Sequence, residues 1–257
     1  MTYPLPNATA DLSGQTALIT GASSGLGLRF AQVLAASGAR VALAARRADR
    51  LESIAAEIRA RGGEAAVIPM DVSDHAQLIG GVAAAEAALG TVSILVNNAG
   101  VPDAQRAHKM SIELIDLLLG VNLRAPYILS CEVARRLIAA GRPGRIVNIS
   151  SITAFNYQGE GAALYSTTKA AIVRMTETLA VEWARYNINV NAIAPGAFGS
   201  EMMDGMLDRM GDITQAFPRK RLGDAAQLDS TLLYLASPAS DFVTGTCIKV
   251  DDGQNSR

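Results

Sequence analysis

The sequence has little cysteine, histidine or aromatic residue. Its two cysteines, Cys131 and Cys247, lie far apart in 257 residues and form no Cys-x-x-Cys pair. A disulfide framework and a zinc cluster are therefore not expected. The only histidines, His75 and His108, are isolated and read as surface residues, and no metal is expected. Lys+Arg total 23 against 24 Asp+Glu, a net charge of −1. With no basic excess and no polybasic cluster, nucleic acid and membrane surfaces are not expected partners. No run reaches about 18 uninterrupted apolar residues, so no membrane span is expected. Met1 to Leu12 lacks a positive charge followed by an apolar run, the pattern of a secretion signal, and a cytoplasmic location is the expectation. Aromatics make up 5% of the chain and hydrophobic residues 49%. That balance excludes disorder and suits aliphatic helix-on-sheet packing better than an aromatic β-sandwich.

What is present is an alternation of short apolar runs and helical periods. Strands are expected at 16–20, 40–44, 65–70, 94–96, 145–149, 189–193 and 247–250. Helices are expected at 28–37, 48–61, 74–89 with Ser73 as N-cap, 163–185 and 225–236, with one or two more in 111–140. Residues 1–13 read as an irregular polar tail and 200–221 as a polar, Met-bearing stretch. Strands apolar on both faces, alternating with helices, predict an α/β fold: a parallel seven-stranded sheet covered on both sides. No linker or repeat divides the chain, so residues 1–257 read as one domain.

The first strand runs into Thr20-Gly21-Ala22-Ser23-Ser24-Gly25-Leu26-Gly27, and a helix follows at once. Glycines in a tight strand-to-helix turn let the backbone approach a diphosphate, and the helix N-terminus supplies N–H groups and a positive dipole end. The spacing, Gly-x-x-x-Gly-x-Gly after Thr20, resembles that of the short-chain dehydrogenase/reductase family. Further matches follow in order: Asn97-Asn98-Ala99-Gly100, Ser150-Ser151, Tyr165-x-x-x-Lys169, Pro195-Gly196 and Val250-Asp251-Asp252-Gly253. They span residues 14–253. The resemblance implies a Rossmann-type, doubly wound sheet in the order 3-2-1-4-5-6-7 and a nicotinamide cofactor. Among members it points toward those that resemble 3-oxoacyl-(acyl-carrier-protein) reductases.

Dinucleotide folds that take NAD keep an acid at the end of the second strand. Ala45 stands there, followed by Arg46 and Arg47. A charge-assisted hydrogen bond from such a guanidinium to a 2′-phosphate is worth roughly 1.5–3 kcal/mol, or about 10- to 100-fold. NADP(H) is therefore favoured over NAD(H), against the alternative of two solvated arginines. The resemblance assigns further cofactor contacts to Gly21, Ser23, Ser24, Gly25, Leu26 and Gly27 of the loop. It adds Asp71 and Val72 at the adenine, Asn98, Ala99 and Gly100 at the ribose and pyrophosphate, and Pro195, Gly196, Phe198 and Ser200 beside the nicotinamide. Asp71 has the alternative role of capping the next helix. Asn97 and Ala99 have that of stabilising the sheet.

Catalysis is expected from Tyr165 and Lys169, four apart on one helix face. A nearby ammonium lowers the tyrosine pKa from about 10, and the lysine can hold the nicotinamide ribose. Ser151, preferred over Ser150, would orient the substrate oxygen. The segment 152–164 is one residue longer than is usual in the family, with the extra residue expected near Asn156-Tyr157-Gln158-Gly159. Asn122 matches the family's helix Asn, and the resemblance implies that it holds a water linking Lys169 to solvent; its alternative is a mid-helix polar residue bonding backbone. Residues 200–221 are the expected substrate lid. Met202, Met203, Met206, Leu207, Met210 and Phe217 point either to an apolar ketone or acyl chain or to core packing. Arg219-Lys220-Arg221 would meet an acidic carrier or be solvated. Helices 111–140 and 163–185 and the last strand resemble those through which the family assembles, and the resemblance implies a homotetramer, although Asp252 replaces a usual glycine there. The reading is an NADP(H)-dependent ketone/secondary-alcohol oxidoreductase acting on a small molecule. Its alternatives are an NAD-linked alcohol dehydrogenase and a non-catalytic dinucleotide-binding sensor; the chain is too short for an epimerase or dehydratase acting on a nucleotide sugar.

Overall fold

The computed structural model describes residues 6–102, 105–157 and 161–255. The strands are β1 (Thr16–Thr20), β2 (Arg40–Ala45), β3 (Ala65–Pro69), β4 (Ile94–Asn97), β5 (Gly144–Ile149), β6 (Ile188–Pro195) and β7 (Cys247–Val250). They form one parallel sheet in the order β3-β2-β1-β4-β5-β6-β7, as expected. The helices are α1 (Gly25–Ala36), α2 (Ala48–Ala60), α3 (His75–Leu89), α4 (Ile112–Leu119), α5 (Ala125–Ala140), α6 (Ala163–Trp183), α7 (Glu201–Met210) and α8 (Asp229–Ala236).

The strands alternate between two cores, which is why they read as continuous apolar runs. In β1, Ala17 and Ile19 face α1, α2 and α8 through Phe30, Leu34, Leu51 and Leu232. Leu18, between them, faces α3, α5 and α6 through Leu78, Leu129, Ile172 and Leu179. Each fully buried Leu, Ile or Phe side chain contributes roughly 1.5–3 kcal/mol by leaving water. The chain reverses its winding direction between β1 and β4, and the loops after both strands open on the same edge. That switch point is where open α/β sheets bind ligands.

Some local expectations are corrected and others are resolved. The N-cap of α3 is Asp74, whose carboxylate accepts from the amide of Ala76 at 2.9 Å; Ser73 instead donates its hydroxyl to Asp71 at 2.8 Å. The described part of the N-terminal tail is docked, with Leu12 fully buried and its amide on the Ser37 carbonyl at 2.7 Å. The helical region 111–140 is two helices joined by a π turn over Gly120–Arg124. The stretch Ile112–Ala140 is long and apolar enough to cross a membrane by length and composition alone, and its inner face packs on the sheet through Leu118, Leu129, Val133 and Leu137. The region 200–221, read as a polar, Met-bearing stretch, holds α7, N-capped by the Ser200 hydroxyl. Residues 225–236 divide into a 3₁₀ turn and α8.

Candidate active site

One cavity of about 1290 Å³ opens along the C-terminal edge of the sheet. At one end lies the glycine loop. Gly21 (φ +67°) and Gly25 (φ +54°) adopt backbone that favours glycine. A Cβ on Gly21 would sit 2.9 Å from the Asn98 amide nitrogen. Ser24, the N-cap of α1, makes no side-chain cap bond, and no acid stands in the first turn of the helix. The leading N–H groups are left for an anion, so the loop fits a dinucleotide pyrophosphate. Ser23, Ser24 and Leu26 line the cavity with these glycines. Gly27 does not belong to the lining among the described residues. A Cβ there would lie 2.3 Å from the Gly21 carbonyl oxygen, so its smallness serves the packing of α1 on the loop.

Beyond the loop, Arg46, Arg47, Asp71 and Val72 line the same end. Arg46 is exposed. Arg47 donates to the hydroxyls of Ser23 at 3.0 Å and Ser24 at 2.8 Å. The Asp71 carboxylate accepts from the Ser73 amide at 2.9 Å. That bond and the Ser73 hydroxyl hold its pKa below the usual carboxylate value, against some burial, with help from the Arg46 charge. Asp71 thus shapes the turn before α3 without capping the helix.

The Asn97–Gly100 segment is split between two tasks. Asn97 is buried and donates to Asn148 at 2.8 Å and to Ser130 at 3.0 Å, a role inside the sheet. Asn98 donates to the Thr20 carbonyl at 2.9 Å, and the amides of Asn98 and Ala99 both bond the Thr20 hydroxyl at 3.0 Å. Asn98, Ala99 and Gly100 still line the cavity.

In mid-cavity, Tyr165 and Lys169 of α6 share a face, with the ammonium 5.6 Å from the ring centroid. Lys169 is 4% exposed, and its Nζ donates to the Ile149 carbonyl at 2.8 Å. Burial pushes its pKa down from 10.5 to about 8. A Cβ on Gly100 would come within 3.6 Å of that ammonium. The two candidate serines separate cleanly. Ser150 is buried and donates its hydroxyl to the Lys169 carbonyl at 2.8 Å. Ser151 is half-buried in the cavity, with its Oγ accepting from the Thr153 hydroxyl at 3.0 Å. Gln158 and Gly159, half of the segment holding the extra residue, lie outside the described residues.

Asn122 is buried in the π turn and is not part of the lining among the described residues. Its amide group both accepts from and donates to the Val101 backbone at 2.9 Å. The side chain is thereby committed to backbone outside its own helix. In α-helical spacing its carbonyl would pair with residue 126, a proline without an N–H, which accompanies the opening of the turn.

The far wall carries Pro195, Gly196, Phe198 and Ser200. Phe198 is largely core, its ring so close to Gly223 that a Cβ there would lie 2.6 Å away. Met202, Met203, Met206 and Phe217 line the cavity on the α7 side. The basic run is not free: Arg219 and Arg221 both pair with Asp252, at 3.1 and 2.8 Å. The structure also adds Glu201, Thr153, Gln254 and Asn255, which sequence reasoning missed. Glu201 directly follows Ser200, a residue already singled out, but nothing local marked it as a partner of Arg47.

The sequence profile described as short chain dehydrogenase matches residues 15–210. The chain belongs to the short-chain dehydrogenase family. Over 245 residues it is 37% identical to the gluconate 5-dehydrogenase of Gluconobacter oxydans, covering 94% of this chain and 95% of that one. It superposes on the crystal structure of a short-chain type dehydrogenase/reductase from Mycobacterium marinum with a TM-score of 0.92, at 34% identity over 96% of this chain and 98% of that one. A blue fluorescent protein from a metagenomic library, crystallised with NADPH, matches with a TM-score of 0.88 at 30% identity, covering 96% of this chain and all of that one. As a short-chain dehydrogenase, the protein is an oxidoreductase of CH–OH groups that acts on small-molecule alcohols or ketones with a nicotinamide dinucleotide.

Proposed function

We propose that this short-chain dehydrogenase interconverts a ketone and a secondary alcohol with preference for NADP(H), with Tyr165 as the general acid/base. The observation that carries this reading is the meeting of Tyr165, Lys169 and Ser151 in the cavity that also holds the open glycine loop. Gly21, Ser23, Ser24, Gly25 and Leu26 would hold the pyrophosphate. Arg46 and Arg47 would face the 2′-phosphate, Asp71 and Val72 the adenine, and Asn98 to Gly100 the ribose side. Pro195, Gly196, Phe198 and Ser200 would border the nicotinamide, which supplies or accepts the hydride when bound.

Tyr165 gives its phenolic proton to the carbonyl oxygen in reduction and takes it back in oxidation. The Lys169 ammonium beside the ring favours the phenolate and so eases both transfers. The Ser151 hydroxyl, which lines the same cavity, donates to the same oxygen as charge develops there. Asn122 fixes the Val101 backbone at the edge of this group and thereby positions the turn next to Gly100.

The methionine-lined lid side favours a substrate with an apolar body. An acidic acyl carrier is disfavoured, because Asp252 already occupies Arg219 and Arg221. The whole chain forms one dinucleotide-binding unit in this reading, cytoplasmic, with 200–221 as its lid. Exposed Ile112, Tyr127 and Val181 on α4, α5 and α6 support a homotetramer.

The test is absorbance at 340 nm with NADPH and NADH against polyol-derived ketones, diketones, quinones, steroids and 3-oxoacyl thioesters. Turnover that is faster with NADPH and vanishes in Tyr165→Phe supports the reading. Full activity in that variant would overturn it. Arg46→Asp should shift preference toward NADH, and an unchanged ratio would remove Arg46 from the assignment.

A further inference from the structure

The ends of β2 and α7 are joined by charges that come from opposite ends of the sequence. Arg47 is anchored on Ser23 and Ser24, and its NH1 reaches the carboxylate of Glu201 at 3.1 Å. Arg50, on the first turn of α2, reaches the other oxygen of that carboxylate at 2.5 Å. Ser200, which caps α7, has its Cβ 3.3 Å from the position a Cβ on Gly25 would take. The N-terminus of the lid helix therefore rests on the phosphate loop. Its first carboxylate sits between two arginines beside the point where dinucleotide folds place their ribose acid. Ala45 provides no acid at that point. The Arg46 side chain, by contrast, makes no hydrogen bond or ion pair among the described residues, and its charge reaches Asp71 at longer range.

Building on the dinucleotide reading above, we propose that Glu201 is a cofactor-selectivity residue. Carried by the lid helix, it neutralises Arg47 and Arg50, so that a 2′-phosphate must compete with it while a dinucleotide lacking that phosphate need not. Arg46 is then the cation open to the phosphate from the outset, and Arg47 becomes available only when Glu201 yields. Glu201 holds the preference for NADP(H) below what the two arginines at 46 and 47 would give alone. It also ties the start of the lid to the identity of the cofactor.

The experiment is fluorescence titration of NADPH and NADH into the wild type, Glu201→Gln, Arg47→Gln and the double variant, with thermal melts to confirm folding. Exposed ion pairs each correspond to roughly 1.5- to 5-fold in an equilibrium constant. Glu201→Gln should tighten NADPH by about three- to tenfold and leave NADH within about twofold. The gain should shrink at about 0.5 M salt, where exposed charges are screened. It should fall by half or more in the Arg47→Gln background, because the two side chains interact directly. Equal tightening of both dinucleotides would place Glu201 against the shared pyrophosphate and overturn the proposal. An unchanged or weakened NADPH affinity would overturn it as well. A wild type that binds neither dinucleotide would defeat the underlying cofactor reading, whereas one that binds them with a ratio insensitive to Glu201 defeats this inference alone.

Discussion

Removing Lys169 should raise stability while abolishing turnover, and the pH dependence of the gain tests the reasoning. Its ammonium lies among buried atoms and donates to the Ile149 carbonyl. The pKa drop from 10.5 to about 8 corresponds to about 3 kcal/mol of destabilisation carried by the charged form. Below about pH 8 the lysine is protonated in both folded and unfolded chains, and the whole cost is present. Between pH 8 and 10.5 the unfolded chain holds the proton while the folded one releases it, so the cost fades as pH rises. Lys169→Met removes this cost but strips the donor from the Ile149 carbonyl, a loss of roughly 1–2 kcal/mol. At pH 7 the variant should be more stable by about 1–2 kcal/mol, or about 2–6 °C in Tm. Near pH 10 the order should reverse. Denaturant unfolding of the pair from pH 7 to 10, both in a Tyr165→Phe background so that this phenol does not titrate, reads the difference directly. A stability difference that stays flat over that range would refute the buried-charge argument. In the otherwise native chain, kcat should fall at least about 100-fold.

Variants at four other positions probe the site and its supports. Ser151→Ala should lower kcat by about 100-fold or more at unchanged stability, whereas Ser150→Ala should cost about 1 kcal/mol of stability and retain most turnover. Kinetics and melts on the same preparations check both, and the reverse pattern would exchange the two roles. Gly27→Ala should destabilise by about 3 kcal/mol or more, because its Cβ meets the Gly21 backbone oxygen; a normal melt would show that α1 can shift. At Asp252, whose φ of +52° favours glycine, Asp252→Ala should be less stable than Asp252→Gly by about 1 kcal/mol. Both variants lose the ion pairs to Arg219 and Arg221, so equal stability would mean that the positive φ carries no strain at that position.

Much of this protein was legible along the chain because the relevant physics is local. A strand buried on both faces needs a continuous apolar run, and all seven strands were found that way. A turn that brings backbone against a diphosphate needs glycine, and Gly21 and Gly25 stand at positive φ where the motif placed them. Tyr165 and Lys169 meet because residues four apart share a helix face. Boundaries were less secure: Asp74 outcompeted Ser73 as a cap, since Ser73 found a nearer acceptor in Asp71.

The sequence by itself determined the layered strand–helix alternation, the glycine loop and the tyrosine–lysine pair, because each is a pattern of neighbouring residues along the chain. Both neighbouring serines line the cavity, and the tertiary structure adds the reason to prefer Ser151: the packing of α6 claims the Ser150 hydroxyl. The tertiary structure alone showed that Arg47 is bound to Glu201, 154 residues away, and that Arg219 and Arg221 are spent on Asp252. Charge pairing between distant segments depends on where folding leaves their side chains, and no local pattern records that.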